Sequence, residues 1–265
     1  WLSDDLKSYA HDDRLPPGFR DWLATLPFLN QEHKKFNVGL AFGQEMYTPS
    51  DITLADPPRD DHPYAGWLYG SLVLDQKDDT WLDTVELTFG MVGPSSHAEE
   101  TQKAVHEAID SNIPQGWNTQ LRDEPGVMLS YQGTWRAFET DLANQIGLDV
   151  IPHAGGTAGN VKTFANAGGE VRFGWNLPKN FGTTLIGPGG GVGVADLAAD
   201  ATQPPFAIYG FCFVDGRAVA RNIFLDGNTF RQSRHVSKKG LVADIALGVA
   251  LHIEDFFVSY THVYR

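Results

Sequence analysis

The sequence predicts an all-β fold, an up-and-down antiparallel transmembrane β-barrel with one short helix in a long loop. About nine segments alternate apolar residues with small or polar ones over roughly ten positions each. In the clearest segment, residues 36–46, the apolar face is formed by Phe36, Val38, Leu40, Phe42 and Met46. Because successive strand side chains point to opposite faces, such a segment has one apolar face and one face of small or polar residues.

Composition supports a single barrel domain over residues 1–265. The chain has 28 glycines and 12% aromatic residues, a combination typical of closely packed strands with rings at a water–lipid boundary. The formal charge of −13 argues against nucleic acid as a partner. The chain has a single cysteine, Cys212, so an intrachain disulfide is not possible. Since no apolar run is long enough for a membrane-spanning helix, membrane residence would depend on the strands.

The order of turns and loops predicts two different rims. The strands are expected near 36–46, 64–74, 81–93, 127–138, 142–153, 161–173, 205–215, 241–252 and 255–264. Tight turns are expected at 76–79, 139–141 and 253–254, and long loops at 47–63, 94–126 and 216–240. In a meander, alternate connections share a rim, so the three long loops should lie together. A short helix near 19–26 and a flexible glycine-rich connection at 187–194 are also expected.

The number of predicted strands is odd, whereas single-chain bacterial barrels usually have an even number. We therefore expect the intact barrel to contain strands that this chain lacks at its ends.

One helix in the second long loop supplies the candidate catalytic residues. Ser96 and Glu99 have capping-box spacing, and good helix formers follow as far as Asp110. Gln102 and His106 are four residues apart, and Asp110 follows after another four, so all three could share a face. His106 could act as a general base on water. Most helix histidines are structural or solvated, and that alternative stays open.

The first long loop holds a candidate for phosphate or cation binding. Arg59 could hold a phosphate by a bidentate contact, and Asp60 or Asp61 could ligate a hard cation such as calcium. A solvated turn rich in proline and aspartate is the alternative. No zinc-ligand spacing is present.

The third long loop is locally basic in an acidic chain. Its cations are Arg217, Arg221, Arg231, Arg234, Lys238 and Lys239. The loop could bind an anionic ligand, or it could balance the charge of neighbouring acidic loops. A separate polar group, Lys162, Asn166, Glu170 and Arg172, occupies one strand face and is expected to form a lumenal network.

Several short motifs, in this order and spacing, resemble the lipid A 3′-O-deacylases of the Gram-negative outer membrane. They are residues 43–49, 59–67, 92–94, 102–106, 116–117 with Gln120, and 222–230. The resemblance implies a twelve-stranded barrel that hydrolyses the ester joining the 3′-acyloxyacyl chain to lipid A. It also implies calcium as cofactor, lipid A or lipopolysaccharide and outer-membrane lipids as partners, and a monomer.

The resemblance assigns the catalytic histidine to His106, four residues after Gln102. Gln102 is expected to orient His106 or the water, and Arg59 and Arg221 are the candidate substrate-binding residues. The family's Asn-Asp pair on its first strand, and a hydroxyl residue at the start of its second, are expected to precede residue 1. Two leading strands and a final one would complete twelve. Without that pair, this chain by itself is expected to be inactive. Asn112 stands where the family has an acidic residue, so the metal ligands are unknown.

Three other functions fit the same pattern. A non-catalytic outer-membrane pore or binding barrel would have an open lumen, and an outer-membrane phospholipase would act on glycerophospholipids. A soluble β-barrel or sandwich domain would be extracted without detergent. The unequal loop lengths of the two rims, with outward apolar residues such as Leu241, Ile245 and Leu247, argue against the soluble barrel.

Overall fold

The protein folds into one antiparallel sheet, seen in a computed structural model that describes residues 4–5, 35–183, 204–254 and 256–265. The expected helix at 19–26 and the connection at 187–194 lie outside the described residues. The strands are β1 (Asp4–Asp5), β2 (Lys35–Tyr47), β3 (Ala65–Lys77), β4 (Trp81–Val92), β5 (Glu124–Trp135), β6 (Phe138–Ala143), β7 (Ile146–Gly159), β8 (Lys162–Trp175), β9 (Phe206–Asn222), β10 (Leu241–Ile253) and β11 (Phe256–Tyr264).

The strands follow one another as an up-and-down meander. Each pairs antiparallel with its sequence neighbour from β1 to β11, except that β5 and β6 both pair with β7. The predicted fold class is therefore confirmed. The absence of two leading strands and a final one stays a prediction. No helix within the described ranges is long and apolar enough to cross a membrane.

The sheet curls so that its two faces differ in character. Outward side chains of the middle strands are apolar and exposed, and Phe42 of β2 is 86% exposed. Inward side chains surround a lumenal cavity of about 660 Å³, to which residues from Tyr47 of β2 to Val263 of β11 contribute. The alternation read from the sequence thus predicts correctly which face is which.

One predicted turn is wrong. Residues 139–141 lie inside β6, and the hairpin turn falls at Asn144 and Gln145, which have φ values of 52° and 67°. A two-residue hairpin of this kind needs positive φ at both central positions, and asparagine tolerates it well. This segment resembles a turn because Glu139, Thr140 and Asp141 are three consecutive polar residues within a short strand.

The three long loops lie together on one rim, as predicted. They span residues 48–64, 93–123 and 223–240. The Gln115 N–H donates to the Ile52 carbonyl at 2.9 Å, which joins the first loop to the second. Arg234 Nη1 donates to the Pro57 carbonyl at 2.8 Å, which joins the third loop to the first.

The third loop begins later than predicted, because β9 continues to Asn222. Arg217 and Arg221 therefore belong to a strand. Both side chains line the lumenal cavity. A polar lumen accepts arginines within a strand, so their charge gave a false loop signal.

A short helix, α2 (Ile223–Asp226), lies at the long-loop rim, where its residue Leu225 lines the lumenal cavity. Phe224 stacks on Tyr47 with ring centroids 4.1 Å apart. Tyr47 packs against a fully or nearly buried apolar cluster to which Phe224 belongs, and the members of the cluster are Ala65, Trp67, Val92, Leu121, Met128, Val161, Ile223 and Phe224. We call this cluster the rim plug.

Below the rim plug, the predicted lumenal polar network is confirmed. Lys162 pairs with Glu45 at 3.3 Å, and Asn166 donates to Asp215 at 3.0 Å. Arg172, which has no exposed side-chain surface, donates through Nε to Asp149 at 3.0 Å. These contacts neutralise buried charges and polar groups inside the wall.

Candidate functional site

The helix that carries His106, α1 (Ala98–Ala108), lies against the outer face of the wall at the long-loop rim. Trp67 of β3 points into the lumen, so its neighbours Gly66 and Leu68 point outward. A Cβ atom on Gly66 would lie 2.0 Å from Ser96 Oγ and 2.5 Å from Ala98 Cβ. Gln44 of β2 donates from Nε2 to the Ser96 carbonyl at 2.6 Å. The missing side chain of Gly66 thus lets α1 approach the wall.

The start of α1 differs from the predicted capping box. Ser96 ends a short 3₁₀ turn, Pro94–Ser96, and its hydroxyl donates to the Gly93 carbonyl at 2.6 Å. His97 is the N-cap residue, with φ 56° and no side-chain cap. Glu99 instead pairs with Lys103 at 2.6 Å. The box fails because Gly93 and Pro94 set a tight turn that occupies the serine hydroxyl.

His106 lies in the last turn of α1, where the chain folds back onto its ring. Its Nδ1 atom is 2.6 Å from the Asn112 main-chain oxygen. A carbonyl oxygen can only accept, so Nδ1 carries the proton of the neutral ring, and Nε2 keeps its lone pair. The half-buried His106 therefore has the tautomer that a base acting through Nε2 requires.

Asp110 makes that reversal possible. The sequence predicted that the helix would continue to Asp110, but α1 ends at Ala108. The φ of Asp110 is 52°, two residues after α1 ends. The following Ser111 N–H donates to the His106 carbonyl at 2.8 Å. Asp110 thus acts through the backbone, since aspartate is one of the few side chains that visit the left-handed region at modest cost.

Gln102, one turn before His106, contacts a residue to which the sequence gave no role. Its Oε1 accepts a hydrogen bond from Trp117 Nε1 at 2.8 Å. Trp117 is 1% exposed and packs with Tyr64 and Ala98. Only the tryptophan's place in a short motif could have drawn attention to it, because the contact spans an irregular loop.

Arg59 lies exposed on the first loop. Near it, the Ser50 N–H donates to Asp61 Oδ2 at 2.9 Å, and this bond keeps the pKa of the Asp61 carboxyl below its ordinary value. The His62 N–H donates to Asp61 Oδ1 at 2.7 Å. Phosphate binding by Arg59 stays a prediction, and Asp61 acts here as a loop-ordering group.

Arg221 makes structural hydrogen bonds at the long-loop rim of the lumen. Its Nε donates to the Asn160 carbonyl at 2.9 Å, and its Nη2 donates to the Gly227 carbonyl at 3.0 Å and to Thr229 Oγ1 at 2.8 Å. These contacts hold the third loop to the wall. Substrate binding by Arg221 stays a prediction.

Other cations of the predicted basic segment are paired with carboxylates. Arg217 contacts Asp215 and Asp244, and Lys238 contacts Asp226. Arg234 contacts Asp56 of the first loop. These pairs favour the charge-balancing interpretation for this segment.

In the part of the chain that the structure describes, no three histidine, cysteine, aspartate or glutamate side chains are placed to hold one metal ion. Calcium binding therefore stays a prediction.

Comparison with known proteins decides the family. The sequence matches the family described as outer membrane protein LpxR over residues 1–265. The chain belongs to the LpxR family. The resemblance drawn from the motifs is thus confirmed, and the protein is placed in the outer membrane. No curated protein matches the sequence significantly.

The fold is similar to that of LpxR from Salmonella typhimurium. The match has a TM-score of 0.65 and 17% sequence identity, and it covers 88% of this chain and 83% of that chain. Likeness at this identity shows a shared barrel fold. Residue roles depend on the geometry described above.

Proposed function

We propose that this LpxR-family protein, when intact, is an outer-membrane esterase that removes the 3′-acyloxyacyl chain of lipid A. The observation that carries the proposal is the position and tautomer of His106. The residue lies on a helix outside the wall, at the rim, with Nδ1 held by the Asn112 carbonyl. A base in that place meets lipid esters arriving along the barrel's outer surface.

The outer wall beside α1 suits acyl chains. Phe42, Met46 and Leu68, on the outward faces of β2 and β3, are exposed. Apolar side chains of this kind favour contact with hydrocarbon over water. A lipid A molecule lying along this surface would place its sugar and ester groups at the height of the rim, with its phosphates near the loop that carries Arg59.

The proposed reaction is general-base hydrolysis. Water donates a proton to His106 Nε2 while its oxygen bonds to the ester carbonyl carbon. The tetrahedral intermediate then collapses, the bond between that carbon and the sugar oxygen breaks, and His106 returns the proton to the leaving sugar hydroxyl. The products are the fatty acid and lipid A with a free 3′ position.

The pore alternative is disfavoured by the rim plug. Ile223 and Phe224 have no exposed surface, and they pack at the long-loop rim with Trp67 and Tyr47, which line the lumenal cavity. A hydrophobic constriction of this kind resists ion passage by excluding water. A barrel closed in this way, with a basic group outside its wall, is better suited to chemistry on lipids than to conduction.

The test compares lipid substrates with the intact protein in detergent. Purified lipid A and a panel of glycerophospholipids are incubated separately, and the products are identified by mass spectrometry. We expect lipid A to lose the 3′-acyloxyacyl group while the phospholipids stay intact. Release of fatty acid only from phospholipids would replace the proposal with a phospholipase, and no release together with steady conductance would support the pore.

A further inference from the structure

The hydrogen bond between Trp117 and Gln102 fixes which end of an amide faces outward. The indole N–H can only donate, so the group 2.8 Å from it must be the amide oxygen of Gln102. The amide NH₂ therefore points away from Trp117. Gln102 and His106 are one helical turn apart, so their side chains leave the same face of α1.

Trp117 is held firmly enough to impose that orientation. Its ring centroid is 5.0 Å from that of Tyr64, and a Cβ atom on the preceding Gly116 would lie 2.5 Å from the Tyr64 ring. The Tyr64 hydroxyl donates to the Ile52 carbonyl at 3.2 Å, which ties the cluster to the first loop. The indole is thus fixed from two loops and by α1.

We infer that Trp117 is a positioning residue that orients Gln102 to donate its amide N–H to the ester oxygen during hydrolysis. This inference rests on the proposed esterase function. Gln102 is then the catalytic residue that touches the reacting atoms, and Trp117 acts through it. Nothing else in the described surroundings of Gln102 would select one amide orientation over the other.

The reaction needs such a donor. When the water oxygen bonds to the ester carbonyl carbon, negative charge develops on the carbonyl oxygen. A hydrogen bond that is already aimed at that oxygen stabilises the transition state more than the ground state. An amide free to rotate would present its oxygen part of the time, and that oxygen would repel the developing charge. Trp117 prevents the wrong orientation before substrate binds.

Four variants of the intact protein test the inference by kcat and KM for lipid A. Gln102→Ala and Gln102→Glu should each lower kcat about a hundredfold, because neither provides an N–H donor. Glutamate still accepts the indole bond, so its loss of rate isolates the donor role without disturbing Trp117. Trp117→Phe keeps a packing ring and should lower kcat about tenfold with little change in KM. Trp175→Phe is the matched control, because it makes the same change at the end of β8 on the opposite rim, where the indole packs with Phe206, and it should change kcat less than twofold.

The double variant Gln102→Ala with Trp117→Phe decides between positioning and packing. If Trp117 acts only through Gln102, the double variant is as active as Gln102→Ala alone. A further tenfold loss in the double variant would overturn the inference, as would full activity of Gln102→Glu. An inactive wild-type protein would instead refute the proposed function, so the two failures are distinguishable.

Discussion

The Nδ1 atom of His106 lies 2.6 Å from the main-chain oxygen of Asn112, six residues further along the chain. A main-chain carbonyl thus orients the proposed base, at the position where the family resemblance led us to look for an acidic side chain. The orientation depends on the path of the backbone, which turns at Asp110 with φ 52°.

Substitution of Asp110 should change the His106 tautomer according to backbone preference. Asp110→Gly should keep the turn, because glycine enters the left-handed region freely. Asp110→Val should strain it by about 1–2 kcal/mol and move the Asn112 carbonyl away from the ring. Nitrogen-15 NMR of the neutral ring should show the Nδ1-protonated form in wild type and Asp110→Gly, and a mixture of tautomers in Asp110→Val. A predominantly Nε2-protonated wild type would contradict this geometry.

The contact between α1 and the wall should depend on Gly66. Gly66→Ala places a methyl group within 2.0 Å of Ser96 Oγ, so α1 must move outward. We expect at least tenfold lower esterase activity and faster tryptic cleavage at Lys103 within α1. Gly70→Ala is the control, since its nearest neighbour is the exposed Phe42 ring at 3.2 Å, which can rotate away. Equal behaviour of the two variants would refute tight packing at Gly66.

Asn228 should hold the third loop to the second. Its Oδ1 accepts from the Arg122 N–H at 3.0 Å, and its Nδ2 donates to the Arg122 carbonyl at 2.8 Å and to Glu124 at 3.1 Å. Asn228→Ala loses these bonds and should weaken loop docking by about 2–3 kcal/mol. Tryptic cleavage at Arg231 should then accelerate strongly, whereas the exposed Gln232→Ala should leave its rate unchanged. Unchanged cleavage in Asn228→Ala would show that other contacts hold the loop.

The rim plug should keep the lumen closed to ions. Wild-type protein in planar bilayers should give no stable conductance steps, because Ile223 and Phe224 exclude water at the rim. Replacing both with serine admits water and should produce conductance, whereas Phe230→Ser, at a side chain that is 76% exposed, should not. Steady conductance of the wild type would show that the plug does not seal the barrel.

The sequence predicted the strands of the barrel wall better than the positions of turns and strand ends. Alternation identified the outward faces of β2 and β10, because a two-residue period follows directly from strand geometry. It misplaced one turn at 139–141 and the end of β9, since polar strand residues facing a polar lumen look like loop residues.

Contacts with irregular backbone explain which parts of the site could not be predicted from the sequence. The helix with Gln102 and His106 follows from local propensity, and it was predicted within two residues at each end. The partners of those side chains, Trp117 and the Asn112 carbonyl, are set by irregular backbone that has no period to detect. The contacts of Arg221 with Asn160, Gly227 and Thr229 likewise have no sequence pattern that would predict them.

The central claim is that His106 is the base for hydrolysis of the lipid A 3′ ester. It is tested most directly by measuring, with mass spectrometry, the release of the 3′-acyloxyacyl chain by intact wild-type, His106→Ala and His97→Ala proteins. His97 is the matched control, an exposed histidine at the start of the same helix. We predict at least a hundredfold slower release by His106→Ala and a rate within twofold of wild type for His97→Ala. Undiminished release by folded His106→Ala would contradict the account.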